Sequence, residues 1–532
     1  MLFTSIEFIV FLCITVGLYF IFPISKRWIV LLIASCVFYC IAGIKFIPFI
    51  AVTSFATYFS ALFIDKKYCE LDKKLSEGDY EKEQEELLKE KCENNCKKVV
   101  AIAILISLAI LSYTKFTNMI IDSLQGIFNR FGIQTIQLSP ISIIVPLGIS
   151  YYTFSTIGYV MDVYWREYRA EKEFFKYLLF ILFFPHILQG PFARYNRLAP
   201  QLIKGHKFNY QRVCFGIQLM LWGYFKKLVI AERLAIFVNT VYGDWGNQKG
   251  FILLIASVFY AIQLYADFSG CVDIARGMSQ IMGIELDVNF RQPYFAKTVE
   301  EYWRRWHISL GEWFKDYLYM PVSVSKFVRN CSKRIRKKYG KQAGKNVAIV
   351  ISLVAVWLAT GIWHGTGWVY VIWGIWNGGI IIGSNLLKKK YTILKQNLHI
   401  NEESQGWKIF QIVRTFILVG VVTKPLTLTG SVHSAIELYK NLFSEFNIWV
   451  FFDQSLYTYG LDRQDFWLAV FSIVLLFGVS LMKEKGIQIR ESIAEKNIIL
   501  RWSLYYLAFF SIIVFGKYGP GYDVSNFIYM QF

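Results

Sequence analysis

The sequence predicts an all-α polytopic membrane protein with about 11 transmembrane helices. Of its 532 residues, 55% are hydrophobic and only 18% are charged, and the mean hydropathy is +0.39. A soluble domain carries roughly a quarter charged residues, so this composition excludes an ordinary soluble protein. Backbone groups in lipid must form hydrogen bonds within their own segment, and the regular alternation of transmembrane strands is absent. The spans are therefore predicted to be helices.

Runs of about 20 apolar residues recur from one end of the chain to the other, and each is long enough to cross a hydrocarbon core of about 30 Å. Some of these runs are predicted to be re-entrant, which reduces the expected number of crossings to about 11. The candidate spans are 5–22, 28–44, 46–64, 99–115, 140–161, 174–190, 212–240, 251–275, 347–363, 366–387, 408–425, 464–482 and 499–516.

The distribution of basic residues predicts the orientation of these helices, because cytoplasmic loops carry an excess of lysine and arginine. Two basic residues follow the first span and two follow the third, whereas the loop 116–139 contains only Arg130. We therefore expect the N-terminus and the loop 116–139 to lie outside. The segment 65–98, with nine basic and eleven acidic residues, is expected to form a solvated cytoplasmic hairpin or helix.

The net charge of +19 is concentrated in one short segment, 326–345, which holds nine basic residues and no acidic one. This segment is predicted to be a cytoplasmic loop, and it could also lie against anionic lipid headgroups. Aromatic stacking platforms on an exposed basic strand or loop are missing, so we expect no nucleic-acid partner. The nine residues are Lys326, Arg329, Lys333, Arg334, Arg336, Lys337, Lys338, Lys341 and Lys345.

One histidine stands alone in a long apolar stretch. Residues 347–387 contain no Asp, Glu, Lys or Arg, and near their centre is the string GIWHGTG, which carries His364. Three glycines in seven residues break or kink a helix and allow other backbone to approach closely. A polar group at membrane depth is a functional candidate by default. The alternative is a hydrogen-bonded structural histidine that joins two helices.

A second histidine, His307, lies in a segment with helical periodicity, EEYWRRWHISLGEWFKDY from 300 to 317. Six aromatic or aliphatic residues together with His307 recur at i, i+3, i+4, i+7, i+10, i+11 and i+14, while Arg304 and Arg305 take the other side. This pattern predicts one amphipathic helix in the membrane interface, with His307 in the middle of the apolar face. A buried core histidine and a catalytic one both fit this position.

Two carboxylates, Asp267 and Asp273, fall in the otherwise apolar segment YADFSGCVD. Six residues apart, they do not share one helical face. Pairing with Arg276, Arg291 or Arg304 is the expected structural role.

Prolines 185 and 191 in the string FPHILQGP break a membrane helix and predict a re-entrant turn that carries His186. The six histidines of the chain show no short-range ligand spacing, and no HExxH or cysteine-rich pattern occurs, so no metal site is predicted. A serine or cysteine nucleophile in an elbow motif is also absent.

Five strings in one order resemble the membrane-bound O-acyltransferases, and within them the bacterial branch of alginate O-acetylation and teichoic acid D-alanylation. They are FFPHILQGPFARYNRLAPQL, YADFSGCVDIARGMSQIMGIELDVNFRQPY, TVEEYWRRWHISLGEWFKDYLYMPV, GIWHG and the tail FIYMQF. The resemblance implies helices around a central tunnel, with N-terminal helices in 1–139, a catalytic core in 140–390 and C-terminal helices in 391–532. It further implies that His364 and His307 are catalytic. The residues expected to bind substrate are Trp306, Trp363, Arg304, Arg305, Gln189, Asp267 and Ser269.

The resemblance also implies the reaction. An acyl thioester, acetyl-CoA or an acyl carrier, would enter from the cytoplasm, with no bound cofactor. The acceptor would be a hydroxyl group of a cell-surface polysaccharide or a secreted acetyltransferase partner outside the bacterial cytoplasmic membrane. His364 is expected to act as general base, while His307 orients it or stabilises the oxyanion. The alternatives are D-alanyl transfer, a transporter or flippase, and a non-catalytic scaffold.

Overall fold

The computed structural model describes residues 1–133 and 136–519 and divides the chain into two compact units. The first comprises 1–217 and 275–287, and the second comprises 218–274 and 288–532. The tail string FIYMQF lies outside the described residues. The protein is 78% helical, and no strand occurs among the described residues, which confirms the predicted all-α membrane fold.

Among the described residues, ten helical segments are long and apolar enough to cross a membrane, and the shorter apolar helix Ile6–Ile21 joins them. This set agrees with the expected number of about 11. The ten segments are Ile24–Ala42, Ile44–Glu77, Lys82–Arg130, Tyr210–Gly243, Phe251–Ile281, Lys341–His364, Trp368–Leu386, Gln405–Leu428, Arg463–Glu484 and Ile498–Phe515.

The first unit is built around a hairpin of two long helices, Ile47–Glu77 and Lys82–Arg130. The charged segment 65–98 forms the tip of this hairpin, as the sequence predicted. The prediction of a loop from residue 116 onward was wrong, because the second helix continues without a break to Arg130. It ends only where Gly132 adopts the left-handed conformation, with φ +72°.

Prolines shape the rest of the first unit. Pro140 and Pro146 keep residues 136–148 out of a helix, so the predicted span 140–161 is replaced by the helix Ile149–Tyr164. The span 174–190 is likewise broken, since Phe174–Leu182 ends before Phe183 and a single turn follows at Phe184–Ile187. The helix Tyr195–Lys204 follows this turn.

The second unit holds most of the candidate residues. Val299–Arg305 and Ile308–Phe314 lead through a π-helical turn, Lys315–Tyr319, to the short helix Met320–Ser323. Next come Lys326–Tyr339, here called the basic helix, Lys341–His364, called the WHG helix, and Trp368–Leu386. Its other helices include Glu232–Gly243, Lys388–Asn397, Gln405–Phe416, Val432–Ser444 and Ile489–Ala494.

Candidate active site

His307 lies in a sharp break of the chain, so the predicted continuous amphipathic helix over 300–317 was wrong. The helix Val299–Arg305 ends, Trp306 is extended, and His307 adopts the left-handed conformation (φ 48°, ψ 52°) before Ile308 begins the next helix. A non-glycine residue seldom adopts this conformation, and such strain concentrates at functional sites.

The break is caused by pairing with a distant segment. The amide of Arg291 donates to the carbonyl of Arg305 at 3.0 Å, and the amide of Ile308 donates to the carbonyl of Asn289 at 3.1 Å. Between these bonds, Phe290 and Trp306 form an antiparallel bridge. The backbone groups that would continue the helix are thus engaged elsewhere.

The imidazole of His307 is held in one orientation. Its Nδ1 lies 3.3 Å from Oδ1 of Asn289, and the same oxygen accepts from the amide (3.0 Å) and hydroxyl (2.9 Å) of Ser309. Because that oxygen already accepts from a backbone N–H, Nδ1 is assigned as the donor and Nε2 as the unprotonated nitrogen. Burial lowers the pKa of His307 to about 3, so the ring is neutral near pH 7.

His364 is the last residue of the WHG helix and is 7% exposed. Its ring packs edge-on against two indoles, with centroids 4.8 Å from Trp363 and 4.7 Å from Trp373. Glycine makes this packing possible, because a Cβ on Gly361 would come within 2.6 Å of the carbonyl oxygen of Tyr370. The WHG helix therefore approaches Trp368–Leu386 backbone to backbone.

Both histidine rings contact the indole of Trp363. The ring of Trp363 lies 6.0 Å from that of His307 and 4.8 Å from that of His364. Trp303 ties the preceding helix to the same cluster, since its centroid is 5.4 Å from Trp373 and its Nε1 donates to Asn377 at 3.2 Å. The structure thus brings together the two histidines that the sequence singled out.

Trp306 and the two arginines face other neighbours. Trp306 is 2% exposed and lies in an aromatic cluster with Tyr302, Phe290, Tyr265 and Tyr294. Arg304 pairs with Glu300 on the protein surface, and Arg305 pairs with Glu301 and Glu484, both at 2.7 Å. These contacts describe how the three side chains pack and pair, and substrate binding by them stays a prediction.

Asp267 and Asp273 pair with lysines, which the sequence analysis did not predict. Nζ of Lys227 lies 2.6 Å from carboxylates of both Asp267 and Glu232, and Nζ of Lys226 lies 2.7 Å from Asp273. A π-helical segment, Phe225–Ala231, supplies these consecutive lysines to the helix Phe251–Ile281.

The ion pairs flank a residue that contacts His307. Ser269 accepts a hydrogen bond from Lys226 at 2.9 Å, and Asp267 pairs with Lys227. Phe268, between them in sequence, packs edge-on against His307 with ring centroids 4.8 Å apart. Asp267 and Ser269 therefore fix the helix that supports the histidine.

Gln189 lies in the first unit, in the turn that follows Phe184–Ile187. It is 1% exposed, and neither of its side-chain amide atoms has a hydrogen-bond partner among the described residues. In the same turn, Nδ1 of His186 lies 2.8 Å from the carbonyl oxygen of Phe183. Burial lowers the pKa of His186 to about 4, which fits the local hydrogen-bonding role expected for it.

The site contains residues that the sequence analysis did not identify. Asn289, Trp373 and the lysine pair were not singled out, although Lys226 and Lys227 interrupt an apolar run and were visible as buried-charge candidates. Within 1–133 and 136–519, no group of three or more His, Cys, Asp or Glu residues could hold a metal ion.

Comparisons with known proteins give matches across most of the chain. A family model described as MBOAT, membrane-bound O-acyltransferase family, matches residues 171–335. A probable alginate O-acetylase AlgI of Pseudomonas syringae is 30% identical over 84% of this chain and 75% of its own length. The peptidoglycan O-acetyltransferase of Helicobacter pylori is 29% identical over 67% and 63%. The teichoic acid D-alanyltransferase of Bacillus subtilis is 30% identical over 48% and 64%.

Proposed function

The chain belongs to the membrane-bound O-acyltransferase family, and on this premise we propose that it transfers an acetyl group from a cytoplasmic thioester to hydroxyl groups of a cell-surface polysaccharide. The observation that carries the proposal is the pair of buried histidines in contact with Trp363. Direct transfer of an acyl group to a hydroxyl needs a base that activates the acceptor, and an imidazole in an apolar site can supply this chemistry.

In the proposed reaction, the oxygen of the acceptor hydroxyl attacks the thioester carbonyl carbon while His364 removes the hydroxyl proton. The C–S bond then breaks, and the departing thiolate takes the proton back from the imidazolium. The new ester and the free thiol are the products, so His364 ends the cycle neutral. A positioned base of this kind contributes about 10²–10⁴-fold in rate.

His307 is assigned the orienting role in this scheme. Its Nδ1 donates toward Asn289, so Nε2 can accept a hydrogen bond but not donate one while the ring is neutral. It is therefore suited to align a hydroxyl or another donor, whereas oxyanion stabilisation would need a different group. Trp363 contacts both histidines and Trp373 contacts His364, and in this scheme the two indoles exclude water that would hydrolyse the thioester.

The acetyl group is preferred over D-alanine because the O-acetylase relative matches 84% of the chain and the D-alanyltransferase relative only 48%. The proposed donor is acetyl-CoA or an acyl carrier. The acceptor is a polysaccharide, reached directly or through a secreted acetyltransferase partner. The proposed location is the bacterial cytoplasmic membrane with the N-terminus outside, which the distribution of basic residues supports.

The test uses the full chain in proteoliposomes with a polysaccharide acceptor. Labelled acetyl-CoA is supplied either outside or inside the vesicles. His364→Ala is expected to lower acetyl transfer by at least about 100-fold. His399→Ala, an exposed histidine outside the cluster, is the matched control and should keep wild-type activity. Full activity of the His364 variant would refute the base assignment. Transfer of D-alanine from a charged carrier, with none from acetyl-CoA, would favour the second reaction.

A further inference from the structure

The basic helix, Lys326–Tyr339, presents an unusual charged surface. All nine basic residues of 326–345 are exposed, the segment has no acidic residue, and none of the nine pairs with a carboxylate among the described residues. Elsewhere in the second unit, exposed cations do find such partners, as Lys440 does with Glu437 and Lys249 with Glu445. The surface therefore carries a dense positive charge that no carboxylate of the described residues neutralises.

The opposite face of this helix is fixed to the protein. Val328 is 1% exposed, and the hydroxyl of Ser332 donates to the carbonyl of Gly344 at 2.5 Å. A Cβ on Gly344 would come within 2.8 Å of Cβ of Arg336, so the two helices touch closely. Gly340, at φ +90°, makes the turn between them. The basic helix is thus held against the beginning of the WHG helix.

This attachment sets the depth of the basic helix. The WHG helix is a candidate membrane span, and its apolar surface begins within a few turns of the junction, where Ile349 is 37% exposed. Phe327 and Val324, at 68% and 63% exposed, add apolar side chains beside the charged face. Basic residues with exposed apolar neighbours at the end of a span are typical of segments that lie at the headgroup level.

We propose that the basic helix binds the headgroups of anionic phospholipids at the membrane surface. Its charge complements lipid phosphates, and its position beside the start of a span brings it to them without a conformational change. An acidic soluble protein would complement the charge equally, but it would leave Phe327 and Val324 without the apolar layer that a bilayer provides. Lipid is therefore the occupant that satisfies both parts of the surface.

The experiment uses the full chain in phosphatidylcholine vesicles that contain a minority of photoreactive phosphatidylglycerol or, in parallel, photoreactive phosphatidylcholine. Cross-links to peptides of the basic helix are quantified by mass spectrometry. The test variant combines Lys326→Gln, Lys333→Gln and Lys337→Gln, which lie on one outward face at i, i+7 and i+11.

The matched control removes the same charge from the mixed-charge hairpin tip, through Lys82→Gln, Lys89→Gln and Lys91→Gln. Wild-type protein and control should show strong preference for phosphatidylglycerol, and the test variant should lose it by about fivefold or more. About 1 M salt should weaken the wild-type preference by screening. Thermal melting confirms that the variants are folded.

Three results would overturn the proposal. Equal cross-linking of both lipids in the wild type would show that the surface does not select anionic headgroups. An equal loss in the control would show a general charge effect. An unchanged preference in the test variant, combined with weakened binding of an acidic carrier protein, would identify a protein partner instead.

Discussion

Replacing Lys227 with methionine is expected to destabilise the second unit strongly. The Nζ atom of Lys227 lies 2.6 Å from carboxylates of both Asp267 and Glu232, and all three side chains are 1% exposed. Removal of the cation leaves two buried carboxylates without the charge that both contact. Breaking a buried ion pair from one side costs about 3–5 kcal/mol, and here one substitution breaks two.

The matched variants separate charge from packing. Asp267→Asn keeps the contact of Lys227 with Glu232, so it should cost less, about 1–3 kcal/mol. The neutral triple variant Lys227→Met, Asp267→Asn, Glu232→Gln should recover most of the loss, because no unpaired charge remains. Lys249→Met breaks a half-exposed pair with Glu445 and should cost at most about 1 kcal/mol.

The assay is unfolding of the purified protein in detergent micelles by titration with sodium dodecyl sulfate, followed by tryptophan fluorescence. Acetyl transfer is measured in parallel, because Phe268, next to Asp267, contacts His307 at 4.8 Å. The reasoning is refuted if Lys227→Met is no more destabilising than Asp267→Asn, or if the neutral triple variant is less stable than Lys227→Met alone.

Three other changes test the candidate site. Gly361→Val should cost about 1–3 kcal/mol of unfolding free energy in the same titration, because its Cβ would come within 2.6 Å of the carbonyl oxygen of Tyr370. The control Gly379→Ala has open space around the new Cβ and should cost no more than an ordinary surface substitution. Asn289→Asp places a carboxylate beside Nδ1 and should raise the pKa of His307 from about 3, so the ring becomes cationic at a higher pH. The acid limb of the pH–rate profile should then move to higher pH, and an unmoved limb would argue against the contact. Trp363→Ala should raise thioester hydrolysis relative to transfer, measured as free thiol released per ester formed, and a constant ratio would contradict the water-excluding role.

Hydropathy was enough to predict the membrane fold, and the motifs singled out two histidines that both contact Trp363, but local periodicity did not predict the break at His307. The apolar spacing runs on without interruption from Trp303 to Tyr317, so a helical pattern contains no signal for a break. The break depends on the pairing of 289–291 with 305–308, which is tertiary. A contact between segments separated in sequence overrides local preference.

The lysine partners of Asp267 and Asp273 were missed for a related reason. The sequence analysis considered only arginines as counterions, whereas Lys226 and Lys227 lie about 40 residues earlier on another helix. Sequence alone identifies that a buried charge needs a partner. Which partner it meets depends on how two helices pack, and the π-helical turn that directs two consecutive lysines toward the neighbouring helix has no simple sequence pattern.

The helix Lys82–Arg130 has 49 residues, so at 1.5 Å per residue it is about 73 Å long. A hydrocarbon core of about 30 Å covers less than half of that length, even with moderate tilt. Its charged end is braced by the antiparallel helix Ile47–Glu77, with a short turn at residues 78–81. A rigid domain fused into that turn would therefore project from the micelle as an alignment marker for single-particle electron microscopy, at a place remote in sequence from both histidines.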